Sequence, residues 1–111
     1  MNNPKYQIFK SRSNFQFYFR LRAKNGEIIL SSEGYTTKQN CQNGIDSVRI
    51  HCPLDRNYEK KDSFQNYTFN LKANNSEIIG RSENYTTSAA RDNGIEAVKR
   101  DGPDSPVEDL T

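Results

Sequence analysis

The chain holds no tryptophan, one methionine, one histidine, two cysteines and four prolines in 111 residues. Cys41 and Cys52 form no CxxC pair and no multi-cysteine framework, which argues against a disulfide scaffold. The polar N-terminus shows no apolar leader segment. No apolar run approaches the roughly 20 residues that a membrane-spanning helix needs. The expectation is a reduced, cytoplasmic protein. Only 32% of residues are hydrophobic, a composition that by itself is compatible with disorder. Excess charge of one sign is also missing, since the formal net charge is +2. That balance hides an asymmetry. All 16 Lys and Arg lie in residues 1–100, while the tail from Asp101 to Thr111 carries Asp101, Asp104, Glu108 and Asp109 and no base. The body is mildly basic, short of a dedicated polyanion binder.

What is present is order. Displaced by 50 positions, the chain matches itself without a gap. Leu21 meets Leu71, Glu27-Ile28-Ile29 meets Glu77-Ile78-Ile79, and Tyr35-Thr36-Thr37 meets Tyr85-Thr86-Thr87. Asn43-Gly44-Ile45 meets Asn93-Gly94-Ile95, and Val48 meets Val98. Two copies are too few for a solenoid and suit a pseudo-symmetric pair sharing one core. In each copy a stretch alternates with period 2, Phe15, Phe17, Phe19, Leu21 and Ala23 on one face and Gln16, Tyr18, Arg20 and Arg22 on the other, as a half-buried strand does. Asn25-Gly26 then predicts a two-residue hairpin turn, with Asn75-Ser76 as its weaker counterpart. That turn pairs Ala23 with Ile28 and Leu21 with Leu30 inward, and Arg22 with Ile29 and Tyr18 with Glu33 outward. A short first strand, Tyr6 to Lys10 and again Tyr58 to Lys61, completes each sheet. Cys41, Gly44, Ile45 and Val48 share one helix face, with Gly94, Ile95 and Val98 repeating it. Thr36 or Thr37 is a natural N-cap, and Thr36 with Gln39 has capping-box spacing. A glycine inside both helices implies close approach of the sheet.

The run AKNGEIILSSEGYTT from Ala23 to Thr37, followed by NGIDSV from Asn43 and by NGIEAV from Asn93, resembles the YegP-like family of small bacterial proteins. The likeness spans nearly the whole chain. It implies an α+β fold of two tandem β(3)-α(-β) repeats forming one antiparallel sheet with the helices on one face. It also implies exchanged C-terminal strands, which would place an edge strand near Val107 to Leu110, where composition alone reads disorder. The chain is thus one domain, residues 1–111, with repeat one about 5–52, repeat two about 55–102 and an acidic tail 103–111. The expected core is Phe17, Phe19, Leu21, Ile28, Leu30, Ile45 and Val48, with Tyr67, Phe69, Leu71, Ile78, Ile95 and Val98. The family's function is not established, so the resemblance assigns none.

Three candidate sites remain. His51 and Cys52 are sequence neighbours, poorly placed for Cys-His chemistry, and with Cys41 they make only three zinc ligands of uncommon spacing, so no catalytic residue, metal or cofactor is expected. The repeated Ser32, Glu33, Tyr35 and Ser82, Glu83, Tyr85 read either as two polar pockets or, preferably, as structural elements that two copies of one fold must share. The open sheet face would carry Tyr18, Arg20, Arg22, Ile29, Lys72, Ile79 and Arg81. Matching outward Ile29 and Ile79 suit a protein interface. Aligned Tyr18, Arg20 and Arg22 suit weak, salt-sensitive nucleic-acid binding. The expectation is a monomeric, non-enzymatic binding or scaffolding module, since the duplication itself supplies the pseudo-dimer.

Overall fold

The computed structural model describes residues 3–111. Alternation makes the first hairpin: β1 (Lys5–Lys10) pairs antiparallel with β2 (Phe17–Arg22), and Tyr6, Ile8, Phe19 and Leu21 point together into the core. β3 (Ile28–Ser31) follows and then helix α1 (Lys38–His51). A 3-10 turn (Asp55–Asn57) leads into repeat two: β4 (Tyr58–Ser63), β5 (Asn66–Lys72), β6 (Ile78–Arg81) and α2 (Ser88–Asp101). β7 (Val107–Asp109) follows as an edge strand parallel to β1, the one parallel pair among the described residues. The seven strands lie in the order β4-β5-β6-β3-β2-β1-β7, so the repeats meet at β3 and β6, which share the single register pair Ser31 and Arg81.

That seam is short, and the helices reinforce it. α1 packs on β2 of its own repeat and on β5 and β6 of the other, and α2 packs on β5 and on β3. Thr37 caps α1 by accepting from Asn40 N–H, and Thr87 caps α2 by accepting from Ala90 N–H, each 3.0 Å. The Thr36–Gln39 capping box does not form: Gln39 instead donates to Asn43 one turn on. Two tyrosines, Tyr6 fully buried and Tyr58 half-buried, cross the molecule reciprocally. Tyr6 of β1 donates to the Gly102 carbonyl behind α2 (2.6 Å), and Tyr58 of β4 donates to the Cys52 carbonyl behind α1 (2.7 Å). Burial raises both phenol pKa values, which keeps them protonated as donors.

The pseudo-two-fold axis is visible in side chains. A Cβ on Gly80 would meet Leu30 Cγ at 2.6 Å, and one on Gly102 would meet Cys52 Sγ at 2.6 Å. Leu30 and Gly80 are equivalent positions, as are Cys52 and Gly102, so each pair straddles the axis. Only one side chain fits there, and repeat one carries it both times.

The turn between β2 and β3 differs from expectation. In this turn Gly26 alone has positive φ (85°), while the Asn25 Oδ1 accepts from Glu27 N–H. Gly26 N–H donates to Ala23 O, and Ala23 N–H to Glu27 O, which makes a three-residue loop closed one residue earlier than a two-residue turn. Ile28 therefore pairs with Arg22, and a bulge at Ile29 restores Leu21 to Leu30. Repeat two does the same, with Ser76 at φ 71° and Ile78 opposite Lys72. Two corrections follow. Ile29 and Ile79 are buried, 4% and 7% exposed, and belong to the core; Ile28 and Ile78, expected there, are half-exposed. Likewise Phe15 lies outside β2, exposed in the preceding loop at φ 58°.

Candidate functional site

Both helices lie on one side, so the other sheet face is uncovered. On it, antiparallel pairing sets Phe9 opposite Tyr18, Gln7 opposite Arg20 and Lys5 opposite Arg22. Phe9 and Tyr18 stack with centroids 5.8 Å apart and an interplanar angle of 16°, and the Arg20 guanidinium sits 4.5 Å from the Phe9 centroid. Gln7 Oε1 accepts from Arg20 Nε (2.9 Å) and from Arg22 Nε (2.7 Å), while the Gln7 amide donates to Glu108 of β7 (2.7 Å). Arg22 also donates to the Gly26 carbonyl. A neutral amide thus fixes two guanidinium groups beside a stacked aromatic pair. Burial and the neighbouring Arg22 charge both lower the Arg20 pKa, as expected for adjacent cations.

The remaining residues expected on this face are separate from that cluster. Arg81 bonds Glu33 across the seam (2.5 Å), and Lys72 bonds Glu59 of β4 (2.9 Å). Ile29 and Ile79 are absent from it because the bulges turn them under the helices. The cluster is also confined to repeat one. Where Phe9, Tyr18, Gln7 and Arg20 stand, repeat two places Lys61, Thr68, Glu59 and Asn70. Phe9 and Gln7 were not singled out from sequence. Finding them required the register of β1 on β2, which the loop Ser11–Gln16 sets.

The repeated motif resolves into structural parts. Ser32 Oγ accepts from Phe19 N–H (2.9 Å) and donates to Glu33 O (2.8 Å), filling a gap in the strand ladder, and Ser82 does the same for Phe69 and Glu83. Glu33 does not bond Tyr18, whose hydroxyl accepts from Asn14; it bonds Arg81 instead. Tyr35 stacks on Phe19, and its hydroxyl occupies the space that a Cβ on Gly44 would need; Tyr85 stands in the same relation to Gly94. The helical glycines thus make room for these tyrosines as well as for the sheet. No convergent acid, base and nucleophile arise from the motif.

Cys41 and Cys52 are both buried free thiols, with burial pushing each pKa up to about 11. His51 bonds the Ser47 carbonyl within α1 (2.8 Å). Among the described residues no group of three His, Cys, Asp or Glu could hold a metal. No helix among them is long and apolar enough to cross a membrane.

Comparison with known proteins agrees with this architecture. A family model described as "Domain of unknown function (DUF1508)" matches twice, at residues 13–59 and 62–109. The chain is 48% identical over 61 residues to the UPF0339 protein YegP of Yersinia pestis, 55% of this chain and 54% of that one. It is 50% identical over 56 residues to YegP of Escherichia coli K12, half of each chain. These alignments thus span about half the length of the curated relatives. The solution NMR structure of a UPF0339 protein from Shewanella oneidensis superposes with a TM-score of 0.90 at 47% identity, covering 97% of this chain and 92% of that one. That of yegP from E. coli, itself described as of unknown function, gives 0.90 at 43%, covering 100% and 96%. Two matches of one domain model, on the two repeats that share this sheet, place the chain in the DUF1508 family as a tandem-repeat relative of the UPF0339 YegP proteins.

Proposed function

We propose that this protein is a non-enzymatic binding module that engages a protein partner through the repeat-one end of its open sheet face. The observation carrying this reading is the stack of Phe9 and Tyr18 with Arg20 over it and Gln7 fixing both arginines. Features present in both repeats are accounted for by the fold they share. This cluster occurs once, and the buried group it satisfies, the Gln7 amide, belongs to the cluster itself. Aromatic and arginine side chains dominate the energy of protein interfaces, and rigid ones lose little entropy on binding. Half-exposed Ile28 adds apolar surface beside Arg22.

Weak nucleic-acid binding through the same cluster is the second reading, favoured by the stacked aromatics and two arginines. It ranks lower because Lys5, Lys72 and Arg81 on this face are each paired with a carboxylate, which leaves little net positive charge for phosphates.

The test is comparative capture followed by titration. Wild type and a Tyr18→Ala, Arg20→Ala double variant serve as bait, and any protein retained by wild type alone is purified and titrated back. Retention of the same proteins by both baits would contradict the reading. A parallel titration with short single-stranded DNA and RNA at two salt concentrations decides the alternative. Affinity falling log-linearly with salt would replace the protein partner with nucleic acid.

A further inference from the structure

The sheet is one strand short of its own symmetry. The pseudo-two-fold that carries β2 to β5 and β3 to β6 carries β1 to β4, and it carries β7 to an empty position outside β4. The cause is connectivity. After α2 the chain is free to continue as β7 along β1, whereas after α1 the corresponding segment must run on as β4 itself. β4 is therefore a terminal strand with no partner on its outer edge among the described residues.

The groove that β7 occupies in repeat one persists in repeat two. Val107 of β7 and Ile45 of α1 line one shallow cavity, and Asp109 pairs with Lys38 at 2.9 Å. At the equivalent place lies an open groove of about 470 Å³ between β4 and α2, floored by Tyr58 and Ile95. Exposed ion pairs bridge its mouth, Lys60 with Asp92 (3.3 Å) and Lys99 with Asp55. Pairs of this kind contribute little to stability and yield easily to a ligand.

β7 shows what such a groove accepts. Tyr6 N–H donates to Pro106 O, and Leu110 N–H donates to Ile8 O. By equivalence the Lys60 N–H and C=O point outward from β4, while Tyr58 N–H is already taken by Asp55 O. The charge pattern differs, since Ser88 stands where Lys38 holds Asp109 and Asn57 where Lys5 holds Glu108. Glu108 of β7 lies beside Gln7, whereas the position matching Gln7 is Glu59. An acid beside Glu59 would be repelled, and a base would share that carboxylate with Lys72, which holds it at 2.9 Å.

We propose that the β4 edge and the adjoining α2 groove bind an extended segment of a partner protein, parallel to β4, with an apolar side chain over Ile95 and a basic residue beside Glu59. This is strand addition in the mode that the chain already uses on itself. Lys60 and Lys61 in tandem along the edge disfavour pairing with a second copy.

The test titrates the labelled full-length protein with two peptides matching residues 103–111, one native and one carrying Glu108→Lys. The expected result is amide shifts at Lys60, Asp62, Ile95 and Lys99, with the substituted peptide bound about fivefold more tightly, as roughly 1 kcal/mol from one exposed charge pair implies. In a Glu59→Lys variant the preference reverses. Lys60→Pro, which removes an outward donor and leaves the bonds to β5, abolishes binding while the spectrum stays dispersed. No shifts at millimolar peptide, shifts centred on β1 through displacement of β7, a preference that Glu59→Lys leaves unchanged, or concentration-dependent β4 shifts without peptide would each overturn the proposal.

Discussion

Leu30 and Gly80 hold the same place in their repeats and touch each other, and so do Cys52 and Gly102. A symmetric pair of chains would have to set two identical side chains against one another there. A fused duplication can place a large residue against a glycine, and this chain does so at both points. The helical glycines give a related test. Gly94→Ala forces a Cβ against the Tyr85 ring and hydroxyl, and overpacking of this kind costs about 1–3 kcal/mol. Tyr85→Phe removes the hydroxyl and should recover part of that loss, as read from urea midpoints; an unshifted Gly94→Ala midpoint would contradict the packing. The thiols give a second. With pKa values near 11, under one thiolate in a thousand exists at pH 7, so Cys41 and Cys52 should resist a thiol reagent in the native state and react fully in denaturant.

At the scale of elements, the reciprocal tyrosines join the first strand of each repeat to the helix end of the other. Tyr6→Phe and Tyr58→Phe each leave a helix-end carbonyl without its donor and should each cost about 1–3 kcal/mol. β7 responds to pH. Bonds from the Thr111 hydroxyl and N–H, then from Lys38, lower the Asp109 pKa from 3.8 to about 2, and the Gln7 amide, then Lys5, lowers that of Glu108. A carboxylate with a depressed folded pKa stabilises above its unfolded pKa and loses that effect as pH falls. Protection factors for amide exchange at Tyr6 and Leu110, taken against the intrinsic rate at each pH, should therefore fall between about pH 4 and pH 2, ahead of those in the central strands. Alternation and helical spacing made the strands and helices legible in sequence. The bulge was not. Asn25-Gly26 is compatible with a two-residue or a three-residue loop, and the choice rests on whether Asn25 or only Gly26 takes positive φ. The three-residue loop shifts the register only as far as the bulge, so Ile28 and Ile29, and likewise Ile78 and Ile79, exchange faces while Leu21 keeps Leu30 as its partner. Likewise, the partner of Tyr18 on the open face depended on a loop whose register alternation does not encode.

For the whole molecule, one core spans both repeats, because each helix packs across the seam onto strands of the other. Phe69 of β5 is fully buried in it, edge-on to Tyr58 of β4. Phe69→Ala should cost about 3–5 kcal/mol and lower both repeats together in a single transition, a large share of the stability of a domain this size. Against this shared scaffold the distinctive surface is the asymmetric cluster of Phe9, Tyr18, Arg20 and Arg22, and the central claim is that this end of the open face is where the protein binds. Amide shift mapping of the labelled protein with a partner captured by wild type tests that claim most directly. The account predicts perturbations concentrated on β1, β2 and β3 and lost in the Tyr18→Ala, Arg20→Ala variant. Perturbations confined to the helices, or unchanged in that variant, would contradict it.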